Sequence, residues 1–185
     1  MKGIAMSMGM IAAATASLLL LSGTPAAAAG ASGEAVQKAR TLLDAVCLPT
    51  VRQGRPGDAL ALPEDYRTLA SAASAAFLGG EEGSAYGTER AEDPVVAVWN
   101  DGRCAVYLRR LDDPAGQVGG FADWATALGL ALLGEPQQMT SPGGSQAVIR
   151  RYGAPTGMEV VISHHSKDGR TGGGSISVLP VATPS

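Results

Sequence analysis

The sequence predicts an α+β domain: an antiparallel sheet of about five strands, a hairpin plus a three-strand meander, with about three helices packed on it. Three observations carry this. Apolar residues recur at helical spacing in three separate stretches. Asp101-Gly102 divides two apolar runs, a strong short-range hairpin signal. Three further strand-like runs follow residue 145, separated by turns that contain glycine. The composition suits one packed core: 185 residues, 45% hydrophobic and 17% charged.

The fold begins after a targeting segment. Lys2 is the only basic side chain before Lys38, and residues 3–33 carry no charge. An apolar run over 4–21 ends in Leu18-Leu19-Leu20-Leu21, breaks at Ser22-Gly23-Thr24-Pro25, and gives way to Ala26-Ala27-Ala28-Ala29. A basic start, an apolar centre and a small-residue exit read as a secretory signal peptide over 1–29, cut after Ala28 or Ala29. The run is near the minimum length of a membrane span, and the small-residue exit decides for cleavage. No Cys follows the apolar run and no Arg pair precedes it, which argues against a lipid anchor and the twin-arginine route. The remainder, 30–185, reads as a single domain in the periplasm or outside the cell, with no membrane association after cleavage.

Residues 34–48 read as the first helix, with Ala35, Ala39, Leu42, Leu43 and Val46 on its inner stripe, Cys47 on the flank and Pro49 as the stop. Pro63-Glu64-Asp65 opens a second helix, whose stripe is Tyr66, Leu69, Ala73 and Phe77 and whose end is Gly79-Gly80. Residues 81–94 read as a solvated acidic loop, without the regular spacing of an EF-hand. A two-residue type I′ turn at Asp101-Gly102 would oppose Trp99 to Cys104, Ala97 to Val106 and Val95 to Leu108. Those six residues would then form one apolar face. Residues 110–120 read as a loop, 121–133 as a third helix ended by Gly134 and Pro136, and 137–145 as a polar connection. Strands are expected at 146–152, 158–166 and 175–181.

Few residues offer chemistry. An even pair of cysteines in an exported chain usually closes, so Cys47 and Cys104 are expected to form a structural disulfide. Two cysteines exclude a multi-bridge scaffold and an all-cysteine zinc site. His164 and His165 are the only histidines. Strand alternation sets His164 with Met158, Val160 and Ile162, and His165 with Glu159, Val161 and Ser163, so the pair faces opposite ways at an exposed strand end. The segment 166–175 combines Lys167, Arg170, hydroxyls and glycines, a composition that can cradle an anion without the phosphate-loop order. No G-x-S-x-G, H-E-x-x-H or C-x-x-C occurs, so no catalytic residue, metal site or cofactor is expected.

The net charge of -3 gives no footprint for nucleic acid. The reading is therefore an exported, non-enzymatic domain that binds a small ligand or another envelope protein, with His164, His165, Lys167 and Arg170 as candidate binding residues. The alternative is a small envelope hydrolase that uses His164 or His165.

Overall fold

A computed structural model describes residues 31–56, 60–140, 144–154, 157–166 and 171–181. The expected signal peptide, Lys167, Arg170 and the 182–185 tail lie outside the described residues.

The first helical segment runs from α1 (Ala31–Leu42) through a π-helical turn (Leu43–Cys47) into α2 (Leu48–Gln53). It passes Pro49, where the sequence predicts a stop. In the π turn the Leu48 N–H reaches back five residues to the Leu43 carbonyl. Pro49 then sits in the first turn of α2, where its missing N–H costs little. Gly54, at φ 69°, closes the segment in the left-handed region. The stripe expected from spacing is the buried one: Ala35, Ala39, Leu42, Leu43 and Val46, with Cys47, are all within the core.

The second helix starts later than expected. Tyr66 is buried before it and donates its hydroxyl to the Pro94 carbonyl. Arg67 and Thr68 form a short strand, β1 (Arg67–Thr68), and the Leu69 N–H bonds to the Ala85 carbonyl. Tyr66 thus goes to the core and Leu69 to pairing with Ala85, and α3 covers only Ser71–Leu78. The supposed acidic loop contains β2 (Gly83–Gly87), which pairs with both β1 and β3. Ala85 faces the second cluster and Tyr86 packs on the main core, and its other residues are Gly and Ser, so its period is hard to read.

The hairpin of β3 (Val95–Trp99) and β4 (Cys104–Leu111) is present, with its register shifted by one residue. Val98 opposes Cys104, Ala97 opposes Ala105 and Val96 opposes Val106. The loop has three residues. Gly102 N–H bonds to Trp99 O, Trp99 N–H bonds to Arg103 O, and Gly102 alone has positive φ, at 86°. A type I′ turn would need positive φ at Asp101 too; the Asp101 carboxylate instead accepts from the Arg103 N–H. A shift of one exchanges the faces. Val96, Val98, Cys104, Val106 and Leu108 join the main core, while Val95, Ala97, Trp99 and Ala105 face a second cluster under Leu78.

The third helix, α4 (Pro114–Ala127), begins seven residues before its expected start. Asp113 caps it, accepting from the Gly116 N–H at 3.0 Å, and Pro114 fills the first turn. That signal outweighs Gly119-Gly120, which lie inside the helix. Two more strands follow where none were expected, β5 (Ala131–Leu132) and β6 (Gln137–Thr140). The meander of β7 (Gln146–Gly153), β8 (Met158–Ser166) and β9 (Gly172–Pro180) matches the expected strands closely, except that β9 starts three residues early.

Among the described residues, nine strands form one antiparallel sheet in the order β1-β2-β3-β4-β9-β8-β7-β5, with β6 also on β7. The α+β class holds, and the strand number exceeds the expected five. Helices lie on both faces of the sheet. α1, α2 and α4 pack on the face of the main core, and α3 covers the far side of β2 and β3. Cys47 and Cys104 form a disulfide with Cα atoms 5.1 Å apart, tying the π turn to the start of β4. Among the described residues no helix is long and apolar enough to cross a membrane.

Candidate functional site

β4 and β9 pair regularly from Cys104–Val178 to Leu108–Gly174, then resume at Leu111–Gly172. Arg109 and Arg110 together face Gly173 there, so β4 carries one extra residue, a bulge of the kind that re-aims side chains. Three glycines on the β9 side make the packing possible. A Cβ on Gly173 would sit 2.7 Å from the Leu108 carbonyl oxygen and 3.1 Å from His165 Cε1. One on Gly174 would sit 2.6 Å from Val118 Cγ2 of α4. The glycines expected to free backbone for an anion instead admit a helix and an imidazole ring against the strand.

Beside the bulge lies a cleft of about 460 Å³, lined by Arg109, Arg110, Leu111, Asp112, His165, Thr171 and Gly172. β8 supplies His165 on its outer face, exposed and paired at the backbone with Gly173. Arg109 also donates to the Arg90 carbonyl at 2.9 Å and the Asp93 carbonyl at 3.1 Å, which anchors its guanidinium at the cleft edge. Two arginines and a histidine thus line one concave surface, with Asp112 as the acid among the described lining residues.

The two histidines separate. His164 pairs with Gly174 and Val148 and points into the core. It is only 8% exposed, so the exposed strand end expected for both describes His165 alone. Burial, then the Arg150 charge, hold the His164 pKa below its ordinary 6.5, while Asp113 pulls the other way. Its Nδ1 is buried and has no hydrogen-bond partner. Of the four expected binding residues, the structure brings His165 to the cleft, places His164 behind it in the core, and leaves Lys167 and Arg170 outside the described residues.

Thr171 belongs to the segment 166–175 singled out from sequence, whereas Arg109, Arg110 and Asp112 were not. The available signal was the adjacent Arg109-Arg110 at a strand end, directly before the Asp112-Asp113-Pro114 helix start. Among the described residues, no group of three or more His, Cys, Asp or Glu is arranged to hold a metal ion. No protein-family model matches the chain, and no curated protein or solved structure matches it.

Proposed function

We propose that the chain is an exported, disulfide-locked binding domain and that the cleft beside the β4–β9 bulge receives an anionic group of a small ligand. The observation that carries this reading is the convergence of Arg109, Arg110 and His165 on one cleft. Guanidinium groups present forked donors to carboxylate or phosphate, and imidazole adds a further donor. The concave shape favours a small ligand over a flat envelope-protein surface. Export rests on the charge and apolar pattern of the first 29 residues. Sequencing the N-terminus of the secreted product should give a start near Ala29 or Gly30, and recovery of an intact Met1 chain in membranes would argue for an anchor.

The binding test uses inorganic phosphate and citrate as probes in calorimetry at low salt. Arg110→Ala with His165→Ala should weaken binding about tenfold or more, since hydrogen bonds to charged groups contribute about 1.5–3 kcal/mol each. The loss should shrink as salt screens the charges. Equal affinities for wild type and double variant would remove the cleft from consideration. One observation favours a hydrolase instead: Asp112 and the Thr171 hydroxyl line the same cleft as His165. Turnover of an activated ester that His165→Ala abolishes would favour that reading over simple binding.

A further inference from the structure

We propose that His164 is an acid-sensitive latch on the first turn of α4, and through that turn on one wall of the cleft. The sheet holds the imidazole on its inner face between Val148 of β7 and Gly174 of β9. α4 lies directly over this position, with Val118 seated on Gly174. The ring is more than nine-tenths buried and its Nδ1 lacks a partner, so the site is built around a neutral histidine with unused hydrogen-bonding capacity. The charged or titratable groups whose charge acts on it are Arg150 from β7, Asp113 from the start of α4 and, from the opposite face of its own strand, His165. The paired residue of β9 is a glycine.

A proton on His164 creates a buried cation beside Arg150, and such a cation needs an acceptor. Asp113 is the carboxylate whose charge favours it. Asp113 is already engaged, because its Oδ1 caps α4 through the Gly116 N–H. Turning toward an imidazolium would release that cap and fray the first turn. Leu111 and Asp112 immediately precede Asp113 in the chain and line the cleft. Loosening the cap therefore moves the cleft wall. The sign follows from the lowered pKa of His164. Above its unfolded value of 6.5 the group adds no pH dependence, and below it the unfolded chain takes the proton more readily, so the closed arrangement weakens as pH falls.

The latch rests on the binding reading only for its consequence at the cleft, and its test needs no ligand. Amide exchange of Gly116 is measured in the mature protein at about pH 7.5 and about pH 5, as a protection factor corrected for intrinsic exchange. Wild-type protection should fall severalfold on acidification, because the proton favours the opened arrangement. His164→Leu should remove that fall, and His164→Gln serves the same purpose if the leucine variant does not fold. Asp113→Ser keeps a neutral cap and should hold its protection at both pH values. An unchanged wild-type protection factor, or the same fall in the His164 variants, would overturn the latch. Failure of phosphate and citrate to bind at neutral pH would overturn the cleft reading and leave the exchange result standing.

Discussion

Gly174 shows how a single position can hold a helix against a sheet. A Cβ there would lie 2.6 Å from Val118 Cγ2 and 2.9 Å from the Ser163 carbonyl oxygen, and the second neighbour is backbone that cannot rotate away. Gly174→Ala is expected to cost about 1–3 kcal/mol, read as a lower denaturant midpoint at unchanged slope. The sequence offers no way to tell a glycine that bends from a glycine that admits a neighbour, which is why 172–174 read as a turn. Asp93 carries a different constraint. It is 2% exposed, accepts from Lys38 Nζ and from Thr88 Oγ1, each at 2.8 Å, and lies in a segment that reads as solvated acid. Burial works against its charge, and the Lys38 and Thr88 hydrogen bonds outweigh it, leaving its pKa below 3.8. Its stabilisation is therefore complete above the unfolded value of 3.8 and fades as pH falls through the lower folded value. Asp93→Asn should cost about 1–3 kcal/mol at neutral pH and flatten the acid limb of the stability profile, measured by denaturation at stepped pH. By contrast, the opposite orientations of His164 and His165 were legible at once, because alternation along a strand needs no knowledge of partners.

Elements with a strong period were legible, and elements held by pairing were not. The stripe of α1 and the three strands of the meander follow from spacing alone. β1, β2, β5 and β6 are two to five residues long, rich in small or polar side chains, and exist because a neighbouring strand offers hydrogen bonds. The hairpin was visible but its register was not, since Asp-Gly serves both a two-residue and a three-residue loop. β3 is buried on both faces, so the alternative register left no polar residue pointing inward to betray it. α4 was misplaced because Gly119-Gly120 look like a break. Neither has positive φ, and a Cβ on either would meet no atom within 4 Å, so nothing in the packing requires glycine there. Gly120, which is exposed, then costs the helix its usual penalty. Gly120→Ala should stabilise the protein by about 0.5–1 kcal/mol, checked by thermal melting. No gain would mean that the helix needs flexibility at its centre.

At the scale of the molecule, the sheet has two sequence-local halves, β1 to β4 and β5 to β9, and the β4–β9 pairing is the seam between them. No local signal reports which strand of one half meets which strand of the other, so the chain could be read as a hairpin and a meander without revealing one continuous sheet. The disulfide acts beside this seam. Cys47 belongs to the helical segment under the sheet, and Cys104 is the first residue of β4, opposite Val178 of β9. The bridge spans a separation of 57 residues, and both sulfurs are in residues with no solvent exposure. In the chain-entropy account a loop of that length contributes about 3–4 kcal/mol by restricting the unfolded chain. For a domain of this size each kcal/mol moves the melting temperature by about 2–4 °C, so loss of the bridge should lower it by about 10 °C. Cys47→Ala with Cys104→Ala should fall slightly further than the reduced wild type, because it also removes two buried sulfur atoms from the core. Thiol titration of the unfolded, unreduced protein should find no free thiol. Two free thiols, or a melting temperature indifferent to reductant, would show that burial of α1 and α2 against the β4–β9 seam holds the first helical segment without the bridge.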